Sequence, residues 1–400
     1  MILVTDGEQR SALAVVRSLG RGGHGVAVCS ARRKPLAGAS RHCRASYEVP
    51  DAARDSEGFV EAVERIVDAE GTEMVIPMTD LSVPLVLGLR RSRPSLVVPF
   101  PDLSTYEAVS DKAQLTRTAR ELGVPVPRQV EVSSAEEADT PAVARLVDEV
   151  GWPLILKPAR SVVHSRGSAQ RFGVRAVFTS DELAMELADY LAQAFPVLVQ
   201  ERIVGPGRGV FVLGDADGRA VASFAHRRIR EKPPTGGVSV YRESVPLGED
   251  LRELAERITT HFRWHGVVMI EFKEDAATGT PYLMEANGRF WGSLQLAIDA
   301  GVDFPRLLVE SALGNTVVPV HAYRTGIRSR WLWGDFDHLL WILRAAPGYR
   351  SLHPALPGRA RALAQFLVPW RPGDRFEVLR WGDPFPFVRE SMQWLGSLRG

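Results

Sequence analysis

The sequence predicts a mixed α/β and α+β protein: an N-terminal open parallel sheet domain, a longer α+β region, and a small Trp/Arg-rich module at the C-terminus. Three observations carry this. Through roughly the first hundred residues, short apolar runs alternate with helix-period segments, as in a parallel sheet with crossover helices. Further on, strands follow one another directly, most clearly in Val267–Ala300, VVMIEFKEDAATGTPYLMEANGRFWGSLQLAIDA, which reads as two strands joined by a short loop and then a helix. The final eighty residues hold six of the nine tryptophans, twelve arginines and no lysine.

Taken in order, Ile2–Thr5 is the first strand and Asp6–Gly7 a turn. Gln9–Leu19 is helical through Ala12, Val15, Val16 and Leu19. Gly25–Cys29 is a strand, Phe59–Ala69 a helix, and Met74–Met78 and Leu96–Phe100 are buried strands. The Asp6–Gly7 turn lacks the G-x-G-x-x-G spacing, which argues against a dinucleotide site in this domain. Ser104–Gly123 is one helix carrying Lys112, and a strand then ends near Val132. Ala135–Val150 is a helix, and Gly151–Pro158 a strand with Lys157 near its end. Ser161–Gly173 is a loop, and Asp181–Ala194 a helix with Ser180 as its N-cap. Val197–Ile203, Val210–Leu213 and Val221–Ala225 are strands, with a glycine-rich turn at Gly205–Gly209. Arg227–Ser239 is a basic Gly/Pro loop, and Leu251–Phe262 a helix leading into the hairpin. In the tail, Phe336–Leu343 is a short amphipathic segment, and the whole tail reads as a module packing on the rest.

Composition narrows the function classes. Apolar residues make up 45% and charged residues 24%, as in a soluble globular chain with a large core. The net charge of +1 gives no global electrostatic case for nucleic acid or an anionic membrane. No apolar run approaches the ~18 residues of a membrane span. The start, MILVTDGEQR, has no basic and apolar leader pattern, so a cytoplasmic location is expected. Cys29 and Cys43 match neither a disulfide framework nor a zinc spacing.

The hairpin carries chemistry. Glu285, Asn287 and Arg289 recur at period two, which places them on one strand face, and the pairing strand brings Glu271 beside them. Two carboxylates and an amide oxygen are hard ligands suited to Mg²⁺ whose remaining positions are filled by phosphates. Arg289 adds a fixed cation suited to phosphate or carboxylate. Lysine usage points the same way. Only five of the 49 basic residues are lysines, so Lys112 and Lys157 stand out as ammonium groups retained where arginine is otherwise used. The Ser161–Ser168 loop, with Ser165 and Ser168, offers hydroxyls and N–H groups for phosphate, and Gln200-Glu201-Arg202-Ile203 ends a strand where an adenine edge could be read.

These segments, in this order, resemble the ATP-grasp superfamily over roughly Asp111 to Leu313. The resemblance implies a pre-ATP-grasp α/β domain at 1–105, a two-lobed ATP-grasp fold at 106–195 and 196–315, and the appended module at 316–400. It implies ATP phosphates on Lys112, Lys157, Ser165 and Ser168, the adenine amino group on Glu201, and a hinge backbone contact at Ile203. It implies two Mg²⁺ ions, with Mn²⁺ as a substitute, on Glu271, Glu285 and Asn287. Arg289 would steady an acyl phosphate, and Arg230 with the Pro233–Ser239 loop would reach the triphosphate or the acid substrate. Arg208 stands where the family often carries an acidic ribose ligand, and the SVVHSRGS loop is glycine-poor, with Arg166 or His164 able to contribute. The implied activity is ADP-forming ligation of a small-molecule carboxylate to an amine through an acyl phosphate. A carboxyphosphate-forming carboxylase or carbamoyl-phosphate-type enzyme and a non-catalytic nucleotide sensor are the alternatives. No nucleic acid partner is expected, and a homodimer is the default assembly.

Overall fold

Ile2–Val4, Val26–Ser30, Ala45–Glu48 and Met74–Ile76 form an all-parallel four-stranded sheet in the order third, second, first, fourth. In the computed structural model, residues 1–165, 167–234, 237–345, 356–367 and 373–398 are described, apart from the side chains of residues 164 and 165. Every residue of the first, second and fourth strands is buried, which is why they read as continuous apolar runs. Leu96–Phe100 contributes only a bridge between Met74 and Val97. The third strand, Ala45–Glu48, buries no residue fully and has no apolar signature.

The segment expected as one helix over Ser104–Gly123 is two, Leu103–Ser110 and Lys112–Glu121. Asp111 breaks it: its backbone is extended and its carboxylate accepts from Gln114 N–H at 3.0 Å, the N-cap arrangement. The break makes Lys112 the first residue of the second helix. Beyond it, Gln129–Val132, Val197–Glu201, Leu154–Pro158 and Arg175–Val177 form an antiparallel sheet in that order. One face packs on its own apolar core, with Leu154, Leu156, Val197 and Val199 meeting Leu183 and Leu187 of the helix Ser180–Asp189. Thr179, rather than Ser180, caps that helix, accepting from Glu182 N–H at 3.1 Å. The Ser161–Gly173 loop is ordered as a hairpin, Val162–Ser165 with Ser168–Arg171, turning at Gly167 with φ +82°. Its far strand touches the N-terminal domain, where Ala169 N–H donates to Ala53 C=O at 2.7 Å.

The second lobe is a seven-stranded sheet. Its order is Pro281–Asn287, Gly266–Glu274, Gly207–Gly214, Ala220–Lys232, Val238–Ser244, Arg328–Arg330 and Asp374–Phe376. All neighbours are antiparallel except the last pair. Its core is continuous with that of the N-terminal domain, joining Leu3 and Val28 to Phe211, Ile270 and Leu296. The tail is therefore less separate than expected, since two of its segments extend this sheet. Buried ion pairs fix it to the first helix, Arg10–Arg21: Arg10 to Glu377, and Arg17 to Asp383 at 2.8 Å. No helix among the described residues is long and apolar enough to cross a membrane.

Candidate active site

Two lysines approach one another from different elements. In LILKP the odd positions pack inward, so Lys157 faces away from the lobe's core. Its Nζ donates to Gln200 Oε1 at 2.6 Å, and Gln200 is oriented in turn by Gln129 at 2.8 Å. Burial pushes the Lys157 ammonium down to about 8; Lys112 and Lys273 push the same way, while Glu285 and Glu271 oppose. Lys112, 5% exposed, donates to Ser161 Oγ at 2.7 Å and lies 3.9 Å from Glu285 Oε2.

The acidic pair comes from the hairpin. Glu271 and Glu285 are direct cross-strand partners, with Met269 opposite Asn287. The register slips by one residue just past Glu271, which leaves Met284 as a bulge with its sulfur 3.7 Å from Lys157 Nζ. Burial raises the Glu271 carboxyl and the facing Glu285 adds to it, although Arg228 bonds Glu271 directly. Glu285 is held low against its own burial by Lys112, by Asn287 Nδ2 at 3.1 Å and by Lys157. A raised carboxyl beside a second carboxylate marks a place short of positive charge, and with Asn287 Oδ1 nearby the donor set fits a hard divalent cation. Among the described residues, no group of three His, Cys, Asp or Glu gathers as a metal site, so the fit depends on the amide.

Arg289 joins the row just beyond the strand end. Its guanidinium donates to Asn287 Oδ1 at 3.0 Å and to Asp80 Oδ2 at 2.9–3.0 Å. Asp80 belongs to the N-terminal domain and also accepts from Tyr106 Oη at 3.2 Å. Burial opposes both charges of this pair, but mutual attraction wins: Arg289 is raised and Asp80 lowered from their ordinary values. Asp80, Lys112, Ser161, Glu285 and Asn287 line one cavity of about 180 Å³ at the junction of the N-terminal domain and the two lobes.

Comparison with known proteins fits this geometry. A family model described as ATP-grasp in the biosynthetic pathway with Ter operon matches residues 193–334. The biotin carboxylase–β,γ-ATP complex from Campylobacter jejuni superposes with a TM-score of 0.63 at 19% identity, covering 82% of this chain and 74% of that one. The L-amino acid ligase from Bacillus licheniformis superposes with a TM-score of 0.59 at 16% identity, covering 78% of this chain and 73% of that one. The chain has the ATP-grasp fold, and its residues 193–334 match an ATP-grasp family model. In sequence, this ATP-grasp chain is 28% identical over 187 residues to a D-alanine–D-alanine ligase of Thermoanaerobacter sp. (strain X514), covering 44% of this chain and 50% of that protein. The chain thus spans half the length of that curated relative.

Not every expected residue of this ATP-grasp chain reaches the cluster. The Glu201 carboxylate accepts from Arg128 N–H at 2.8 Å, and the Ile203 carbonyl accepts from Lys273 Nζ at 2.8 Å. Among the described residues the Ile203 N–H has no acceptor. Arg208 pairs with Glu274 at 2.8 Å. Ser168 sits opposite Ser165 at the exposed hairpin tip, while the Ser165 side chain, the His164 side chain and Arg166 lie outside the described residues, as do residues 235 and 236 of the Pro233–Ser239 loop. Arg230 is not brought to the triphosphate side. A bulge at Ile229 puts Arg228 opposite Arg242 but Arg230 opposite Tyr241, so the two arginines point to opposite faces. Arg230 binds Asp335 at 2.6–2.8 Å, and Arg228 takes the place at Glu271. Asp80 and Arg228 were not identified from sequence, and Gln200 was read only within the adenine-edge segment rather than as the partner of Lys157. Asp80 had one usable signal: it lies just past the C-terminal end of a buried parallel strand, where open sheets place ligand-facing residues.

Proposed function

We propose that this chain is an ATP-dependent ligase that activates a carboxylate as an acyl phosphate and transfers it to an amine, with ADP and phosphate as products. The observation that carries the reading is the single cavity where Lys112, Ser161, Glu285 and Asn287 meet Asp80, with Lys157, Glu271 and Arg289 bonded around it. Lys112 and Lys157 would bind the triphosphate as point charges, and the open Ile203 N–H would receive an adenine ring nitrogen. Glu271, Glu285 and Asn287 would hold Mg²⁺, which supplies charge neutralisation for in-line attack at the γ-phosphorus. Arg289, held by Asp80, would face the acyl phosphate and then the oxyanion formed when the amine attacks. Residues 1–80 contribute to the site through Asp80, so the N-terminal domain would be needed for turnover as well as for folding.

The test is ADP and phosphate release with Mg²⁺-ATP over a grid of carboxylic acids and amines, with Glu285→Ala beside it. ADP release that requires both an acid and an amine, and that the variant loses, supports the reading. AMP and pyrophosphate would replace it with adenylation. ADP release that needs bicarbonate alone would replace it with the carboxyphosphate chemistry. Nucleotide binding without turnover over the whole grid would favour a sensor.

A further inference from the structure

Another cavity is larger than the one at the carboxylate pair. About 1060 Å³ in volume, it opens between the N-terminal domain and the C-terminal segments. Trp331, Trp333, Trp341 and Trp394 line it. Three of these indole N–H groups are already satisfied within the protein: Trp331 by Glu390 at 2.7 Å, Trp333 by Ser391 at 2.9 Å and Trp394 by Asp337 at 2.9 Å. Trp333 and Trp394 are stacked with centroids 4.3 Å apart, which fixes them as one rigid wall. What these three rings offer the cavity is carbon surface rather than donors.

The polar groups on the wall are not all matched. Lys232 is paired with Asp337, and Arg10 with Glu377. Among the described residues neither Arg32 nor Arg344, both lining the cavity and exposed, has an ion-pair partner. Glu390, 9% exposed, gives one carboxylate oxygen to Trp331, and its Oε2 is buried with no partner. Burial lifts this carboxyl to about 7, so it can donate as well as accept near neutrality. The buried, unpartnered carboxyl oxygen beside rigid aromatic walls asks for a ligand, and the two exposed guanidinium groups are free to meet an anion on it.

The cavity adjoins a second one that lies toward the candidate active site. Glu8, Gln9 and Arg32 line both, the second being about 490 Å³ in volume and at the end of the parallel sheet. That second cavity is walled by Thr79 and Leu81, which flank the Asp80 of the catalytic cavity. The segment Thr79–Leu81 thus lies between the second cavity and the one at Glu285, and Glu8, Gln9 and Arg32 lie between the second cavity and the tryptophans.

We propose that the tryptophan cavity holds the remote part of a substrate larger than a single amino acid, one with a bulky apolar or aromatic body, a free carboxylate and an N–H donor, as in a short peptide. The volume exceeds the roughly 300–1,000 Å³ of sites for drug-sized ligands. Arg32 and Arg344 would take the carboxylate, Glu390 Oε2 the N–H, and the tryptophans the body. This rests on the ligase reading for its word substrate, but the binding can be measured without turnover. Calorimetry without nucleotide would compare leucyl-phenylalanine, its C-terminal amide and glycyl-glycine on the wild-type chain and on an Arg32→Ala/Arg344→Ala double variant. Leucyl-phenylalanine should bind about tenfold more tightly than its amide, and the double variant should erase that difference while binding the amide unchanged. Glycyl-glycine should give no heat. Equal binding of acid and amide, an unaffected double variant, glycyl-glycine binding as well as leucyl-phenylalanine, or no binding of any probe would each overturn the proposal. The expected binding pattern with no ADP release from any acid–amine pair would keep the cavity and remove the ligase; ADP release without this binding would do the reverse.

Discussion

Lys157 should make nucleotide binding depend on pH in a direction and size that can be worked out beforehand. Its ammonium is held down to about 8 by burial, against an ordinary 10.5. Phosphates placed beside it would favour the charged form and return its pKa toward the ordinary value. Binding then takes up a proton whenever free Lys157 is neutral. With the free value at about 8 and the bound value near 10.5, uptake at pH 8 is about half a proton, and the apparent Kd rises about tenfold from pH 7 to pH 9, or about 1.4 kcal/mol. Lys157→Arg keeps the charge at every pH in this range, so its Kd should stay flat apart from the nucleotide's own titration, which is common to both proteins. The assay is calorimetry of Mg²⁺-ATP binding at pH 8 in buffers of different ionisation enthalpy, which reads the proton count directly. Uptake in the wild type equal to that in Lys157→Arg would refute the reasoning. The sign for folding follows from the same shift: the folded chain binds fewer protons than the unfolded one between about 8 and 10.5, so this lysine's contribution to stability rises with pH across that window.

Asp80→Asn should separate positioning from folding. It leaves Arg289 held only by Asn287 and the Phe290 carbonyl, at a cost of roughly 1.5–3 kcal/mol for the lost charged hydrogen bonds. Steady-state ADP release should show kcat down tenfold or more with the Kd for ATP within about twofold; a lower melting temperature with kcat intact would make Asp80 merely structural. Glu271→Gln removes the like-charge contact with Glu285, so without metal the variant should melt no lower than the wild type. Its thermal stabilisation by Mg²⁺ with ADP should be lost, where saturating ligand gives the wild type about 2–3 kcal/mol. Undiminished stabilisation would take Glu271 out of the metal set.

The parts of the site that could be read in the sequence are those fixed by local geometry. Glu285 and Asn287 share a face because strand alternation is local, and Glu271 stands opposite because a short connection sets the register of a hairpin. Lys112 and Lys157 stood out because so few lysines occur. Most helices and the buried strands followed from apolar period, but not the strands that run through the segment expected as the loop Arg227–Ser239, nor the break at Asp111, where a capping carboxylate overrides helical patterning on both sides. What was hidden depends on contacts with no local trace. Arg17 and Asp383 meet across 366 positions, and the strand Arg328–Arg330 reads as RSR, placed by pairs with Glu243 and Asp335 rather than by apolar alternation. Arg230 shows the sharper limit. Period two carries an inference from one residue to the next only while the strand stays regular, and the single extra residue at Ile229 reverses the face of everything beyond it. Glu285 lies next to a bulge as well, at Met284, but it is the cross-strand partner of Glu271 and sits on the regular side, so it stays on the face that alternation gives it. The two bulges flank the proposed metal and phosphate positions, one aiming Arg228 at Glu271 and the other setting Met284 against Lys157. Deleting Ile229 should therefore leave both faces as they are: Arg228 and Arg230 would become neighbours in a regular strand, still opposite Arg242 and Tyr241, so that Arg228 keeps Glu271 and Arg230 keeps Asp335, whereas replacing Ile229 with another residue of similar size keeps the bulge itself.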